Sequence, residues 1–160
     1  MDPRREFAET IVCNELDDFS EIMFFNRGTV DIGFEINRKR KFVLRKQKSI
    51  VIADHGCTFN HKSCFIYKAK TVCEGFSIKK LAWLKVLESN KLLSDQLKKS
   101  IVTNYFYGTK IKIMKEKRKE ILRLKSRSDI QAILIVTDKE DGQDMKHLNA
   151  NFSDAAGQAK

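Results

Sequence analysis

The feature that most constrains this 160-residue chain is a change of hydrophobic period near residue 79. Before it, apolar runs are short and alternate with polar residues. Val30, Ile32, Phe34 and Ile36 recur at every second residue, which places them on one face of a strand. Residues 21–26, 42–44, 50–52, 65–70 and 72–78 are further short apolar runs between turn-forming stretches. Segments 21–26 and 29–36, joined through Arg27-Gly28, are expected to form a hairpin, with Gly28 where a tight turn needs positive φ. Asn37-Arg38-Lys39-Arg40 marks a second turn. After residue 79 the period lengthens. Leu81, Leu84 and Leu87, with Trp83 and Val86, make a helical stripe, and Leu93, Leu97, Ile101 and Tyr105 repeat at four residues to predict a second helix. Gly108 is its expected end or kink. Strands first and helices after indicate an α+β chain, with the short strands in an antiparallel sandwich or barrel and two to three helices following. The expected core comprises Phe24, Val30, Ile32, Phe34, Leu44, Ile52, Ile66 and Phe76.

Composition narrows the partners rather than the fold. Hydrophobic residues make up 42% of the chain, enough for one core, yet no stretch approaches the roughly 18–20 apolar residues of a membrane span. No apolar h-region follows Met1-Asp2-Pro3-Arg4-Arg5-Glu6, so no secretory signal is expected. Cys13, Cys57, Cys64 and Cys73 follow no disulfide framework and are expected to be reduced. The net charge of +10 favours acidic partners. Much of it sits late in the chain: residues 98–127 hold eleven Lys or Arg against two Glu, with 110–125 helical in composition. Residues 130–136 read as a strand or a buried helix end, and 138–160, polar and weakly patterned, as disordered.

Specific residues add to this order of elements. Glu15-Leu16-Asp17, then Ser20-Glu21-Ile22-Met23-Phe24-Phe25, then Gly28-Thr29-Val30-Asp31 resemble the "E-G-D … D-E-M-Y-F-I … G-x-V" opening of cyclic-nucleotide-binding domains. Residues 65–71 look like the strand after that family's phosphate-binding cassette, and 74–87 like its last strand and following helix. Asn104-Tyr105-Phe106, the basic run 110–125, Asp129-Ile130-Gln131 and Leu134-Ile135-Val136 look like the C-terminal region of ciliate voltage-gated potassium channels that carry such a domain. The resemblance covers about residues 9–137. It implies an α+β fold, an antiparallel β-roll followed by two to three helices, with a lead-in over 1–8, a cyclic-nucleotide-binding-like domain over 9–107, a basic helical extension over 108–137 and a tail over 138–160.

The resemblance also implies a cassette in which backbone amides at a helix N-terminus hold a cyclic phosphate, a carboxylate takes the ribose hydroxyl and an arginine pairs with the phosphate. Laid without gaps on residues 52–69, the family's glycine becomes Ala53, its glutamate Asp54 and its arginine Ser63. The residue after the arginine becomes Cys64, and the next, an alanine in the family, becomes Phe65. Leu16 and Ser49 also stand where the family commonly has glycine. The candidate ligand-binding residues are therefore Asp54, His55, Gly56, Lys62, Ser63 and Cys64, with cAMP or cGMP as the implied ligand and no other cofactor. Ser63 has no charge, Lys62 beside it projects the other way on an extended chain, and Phe65 is bulky enough to fill the pocket. Loss of a desolvated charge pair costs roughly 2–5 kcal/mol, about thirty-fold to several-thousand-fold in affinity. A degenerate site is expected.

Other constellations are weaker. His55, Cys57, His61 and Cys64 are zinc-ligand types, but their spacing matches no standard zinc motif, and no metal site is expected. No nucleophile elbow, Walker loop or paired carboxylates stand out, so no catalytic residue is assigned. The expected function is a cytosolic regulatory or assembly module of a potassium or other cation channel, at the cytoplasmic face of a membrane. The implied partners are the rest of a channel or neighbouring subunits in a homo-tetramer, with an anionic membrane surface as a further partner for the basic helix. Two rivals remain, a cAMP- or cGMP-binding regulatory-subunit-like protein and a nucleic-acid-binding protein using the basic helix; the absence of a helix-turn-helix after the long helix argues against a bacterial-type transcription regulator.

Overall fold

The structure, a computed structural model, describes residues 1–89 and 91–125. Eight strands come first: β1 (Asp2–Glu6), β2 (Ile11–Cys13), β3 (Glu21–Arg27), β4 (Val30–Ile36), β5 (Lys39–Lys46), β6 (Ile50–Ile52), β7 (Ile66–Ala69) and β8 (Cys73–Lys79). A short helix α1 (Asp54–Phe59) interrupts them between β6 and β7, and α2 (Lys80–Ser89), α3 (Lys91–Tyr105) and α4 (Ile111–Lys125) follow. All strand pairs are antiparallel, in two four-stranded sheets ordered β1-β8-β3-β6 and β2-β7-β4-β5. The expected antiparallel β-roll followed by helices is the observed fold. The segments 130–136 and 138–160 lie outside the described residues.

The alternation in β4 translates directly into packing. Val30, Ile32 and Phe34 are fully buried and join Met23, Phe25, Ile50, Ile52, Phe65 and Tyr67 in one core. Burying a side chain of this size contributes roughly 1.5–3 kcal/mol. On the other face of β4, Asp31 is paired with Arg45 of β5 through two hydrogen bonds of 2.6 and 3.0 Å. The β4–β5 connection needs only Asn37 and Arg38, both at positive φ (51° and 60°), so Lys39 and Arg40 already lie in the strand.

Three expectations are corrected. Segments 21–26 and 29–36 are not a hairpin: β3 pairs with β6 and β8, whereas β4 pairs with β5 and β7. The chain crosses between sheets at Gly28, whose φ is +110° and where a Cβ would lie 2.6 Å from the Cys73 Sγ. The positive φ was legible there; the corner was not. Phe24 and Phe76 are not core. They face each other in register across β3 and β8 on the outer side, with Phe76 43% exposed, while Met23 and Phe25 point inward. A run as apolar as Ile22-Met23-Phe24-Phe25 leaves its parity open, and strand pairing decides it. Leu44 is half-buried rather than buried. Finally, most of the expected lead-in is a strand: Asp2–Glu6 pairs with β8 from Asp2↔Ser77 to Glu6↔Cys73.

The helices follow the predicted stripe only in part. Leu87 and Ile101 are buried, whereas Leu81, Val86 and Leu93 are exposed. The Trp83 Nε1 donates to Thr58 Oγ1 at 2.9 Å and Lys80 Nζ to Asn60 Oδ1 at 2.6 Å, tying α2 to α1 and the residue after it. Gly108 does not end the helical run. It lies in a single π-helical turn (Phe106–Lys110), after which α4 begins. Residues 1–118 form one compact unit, and the last turns of α4 belong to a second that starts at Lys119. No helix among the described residues is long and apolar enough to cross a membrane.

Candidate functional site

The residues expected to hold a ligand surround α1. This helix has only six residues and starts without a side-chain cap, because Ala53 sits at its N-cap in the left-handed region (φ 72°). The Asp54 Oδ1 accepts the His55 backbone N–H at 2.8 Å. The amide end of the helix is thus engaged by the chain's own carboxylate. Gly56 lets α1 press on Phe19, since a Cβ there would be 2.2 Å from the ring. Asn60, at φ 58°, ends the helix in a left-handed cap, and the His61 N–H returns to the Gly56 carbonyl at 3.0 Å.

The opposite wall is built by residues 62–65, where neighbouring side chains alternate as an extended chain requires. Ser63 is buried and its hydroxyl donates to the Phe65 carbonyl at 2.7 Å. Its backbone is also used, the Leu16 N–H reaching the Ser63 carbonyl at 2.7 Å and the Ser63 N–H reaching Asp17 at 2.9 Å. Lys62 and Cys64 are exposed at the rim, with Lys62 3.6 Å from Asp18. Phe65, in the position where the resemblance puts an alanine, is 1% exposed and belongs to the core.

The third wall comes from α3. The Tyr105 ring stacks on His55 with centroids 4.0 Å apart and planes at 11°. The His61 ring also stacks on His55, with centroids 5.5 Å apart, and the Phe65 ring centroid lies 6.1 Å from that of Tyr105. Between these walls remains a cavity of about 10 Å³, lined by Phe19, Ala53, Asp54, Ser63, Tyr67 and Tyr105 among others. That is about the room one water needs, against the roughly 300 Å³ or more of small-molecule sites.

The electrostatics favour neutral groups. Burial raises the Asp54 carboxyl above its ordinary range, opposed by the His55 backbone N–H and by Lys46. Lys46 is itself lowered by burial, with Asp54 opposing. Burial pushes the Cys13 and Cys57 thiols up to about 11 and raises the Tyr67 phenol. Thiols held protonated are poor nucleophiles and poor metal ligands. The Cys57 Sγ lies 3.9 Å from the Phe19 carbonyl, while Cys64 is exposed, and among the described residues no three His, Cys, Asp or Glu converge on a metal-sized site.

All six candidates, Asp54, His55, Gly56, Lys62, Ser63 and Cys64, line this one cavity, with Lys62 and Cys64 exposed at its rim. Sequence reasoning missed Phe19, Tyr67 and Tyr105. Tyr105 was visible in a helical stripe and in the Asn104-Tyr105-Phe106 run, but nothing local ties it to His55, fifty residues earlier.

No family model and no curated protein sequence matches the chain. Solved structures do match. The sensor domain of the transcriptional regulator DNR from Pseudomonas aeruginosa is similar at 15% identity and TM-score 0.55, over 65% of this chain and 71% of that one. The Thermus thermophilus catabolite activator protein is similar at 9% identity and TM-score 0.55, over 77% of this chain and 54% of that one. The cGMP-bound EAL enzyme Bd1971 is similar at 12% identity and TM-score 0.55, over 76% of this chain and 33% of that one. The chain spans about a third of the length of the PKA regulatory chains that also align. At these identities the likeness concerns the fold: the chain has a fold of the cyclic-nucleotide-binding-domain type.

Proposed function

We propose that the chain is a regulatory and assembly module of a cation channel, of the potassium type, whose β-roll works without cyclic nucleotide. The observation that carries this reading is the packing of the cassette. Phe65 and Tyr105 take up the space beside α1, Ser63 spends its hydroxyl on the Phe65 backbone, and the remaining cavity is about 10 Å³. In a module that responds to ligand, differential affinity for two arrangements moves the helix after the roll. Here the His55–Tyr105 stack joins α1 to the end of α3 through side chains of the chain itself, which supports a position of α3 fixed by packing. The module is then a fixed structural version of a ligand-driven one. It is no enzyme and needs no cofactor, and it sits at the cytoplasmic face of a membrane. The resemblance of the tail to ciliate potassium channels supports the channel context and a fourfold association.

Calorimetry with cAMP and with cGMP tests the reading. No measurable heat of binding is expected from either. Low-micromolar binding of either nucleotide overturns it in favour of a regulatory-subunit-like protein.

A further inference from the structure

The eight exposed residues of α4 are Ile111, Lys112, Lys115, Arg118, Lys119, Leu122, Arg123 and Lys125. They comprise six cations, two aliphatic side chains and no carboxylate. Ile111, Lys115, Arg118, Leu122 and Lys125 follow one another at intervals of four and three, so they form one continuous stripe along the helix. Lys112, Lys119 and Arg123 flank it. The two acids of α4, Glu116 and Glu120, fall among its less exposed residues, with Glu120 3.6 Å from Arg123. Ile111 is 50% and Leu122 63% exposed. Lys117 does not belong to this face. Its ammonium lies 3.5 Å from Glu15 and 5.8 Å from the centroid of the Phe34 ring.

We infer that this face of α4 is a docking surface for a bilayer rich in anionic phospholipid. Six cations on one side match a negatively charged headgroup plane, and each basic residue near such a surface adds to the attraction. The aliphatic residues decide the class of partner. Ile111 and Leu122 sit within the cationic stripe, where they can enter the headgroup–acyl boundary as the apolar side chains of interfacial helices do. A duplex phosphate backbone offers them nothing. A single-stranded nucleic acid would call for aromatic platforms, and α4 contains no aromatic residue. At 1.5 Å per residue its fifteen residues lay down about 22 Å of this surface. The inference is independent of whether the cassette takes nucleotide.

Flotation of the full 160-residue chain with vesicles of phosphatidylcholine, with and without phosphatidylserine, is the test. Binding is expected only to the serine-containing vesicles, weakening as salt rises to physiological strength and the Debye length falls to about 8 Å. Replacing Lys112, Lys115, Arg118 and Lys119 by Gln together should weaken binding by about five-fold per charge, several-hundred-fold in all. Leu122→Ser should weaken it by about ten-fold with the salt dependence kept. Lys117→Gln should leave it unchanged. Equal partition onto vesicles without phosphatidylserine, no binding to either, or a quadruple variant that floats like the parent overturns the inference. So does an RNA that strips the chain from vesicles at equal salt.

Discussion

The β4–β5 hairpin and the cassette ask the same thing of the backbone and receive different side chains. At the hairpin, Asn37 and Arg38 both take positive φ, as a two-residue turn of the primed type demands, and Asn tolerates that region well. Around the cassette, Leu16 (φ 68°), Ser49 (φ 48°) and Ala53 (φ 72°) are also left-handed. These are the three positions where the resemblance puts glycine. An L-residue there costs roughly 1–2 kcal/mol that glycine avoids. The backbone at these three positions takes the left-handed shape that glycine adopts without strain, although none of the three is glycine. At Asn37 the local chemistry and the fold agree; at Arg38 and at the three cassette positions the fold overrides the local chemistry.

The comparison can be broken first at its best-packed point. Phe34→Ala removes a fully buried ring from β4 and should cost about 3–5 kcal/mol. Phe76→Ala, on the outer face of β8, should cost far less. Equal denaturation midpoints for the two variants would mean that the inner face has been misassigned. At the cassette, Ser63→Arg restores the implied phosphate partner but forces a guanidinium into a buried position whose hydroxyl now serves Phe65. It should destabilise by at least about 2 kcal/mol without creating nucleotide affinity. A stable Ser63→Arg protein that binds cAMP would show that the pocket is open.

Smaller effects sharpen the contrast. Leu16 is 70% exposed and Ser49 is exposed, so Leu16→Gly and Ser49→Gly relieve strain with little packing to lose. Each should stabilise by about 0.5–1 kcal/mol after the greater freedom of glycine in the unfolded chain is subtracted. Ala53 is 5% exposed, and the buried methyl it would lose, worth about 0.8 kcal/mol, should leave Ala53→Gly near neutral. Asn37→Gly should change the midpoint by no more than a few tenths of a kcal/mol. Thermal melts of the four variants rank them; a stabilised Asn37→Gly beside an unchanged Leu16→Gly would reverse the comparison.

The smallest expected effect lies outside both regions. Hydrogen bonds from Lys68 and Lys70 hold the Glu9 carboxyl at about 2 against its ordinary 4.5. Its contribution is fully present above about pH 4.5 and is lost as pH falls through about 2. The stability difference between the parent and Glu9→Gln should therefore shrink as pH falls through that window, and a difference that stays constant would sever the carboxyl from the effect.

What the sequence by itself determined is the architecture and the unusual content of the cassette. Two hydrophobic periods, two and then 3.6, are properties of neighbouring residues, so strands before helices, the inward row of Val30, Ile32 and Phe34, and the turn at Asn37-Arg38 were all readable locally. The absence of an arginine at Ser63 and the bulk of Phe65 needed only the ungapped comparison of residues 52–69. The tertiary structure decided everything that depends on pairing between distant segments. Which sheet β3 joins, and hence that Gly28 is a corner and not a hairpin turn, follows from its hydrogen bonds to β6 and β8. Whether Phe24 or Phe25 faces the core follows from the same register. That Tyr105 closes the cassette over His55 follows from the path of α3. Local periodicity carries no information about which distant surface a side chain meets, because that contact is set by the packing of whole elements against one another.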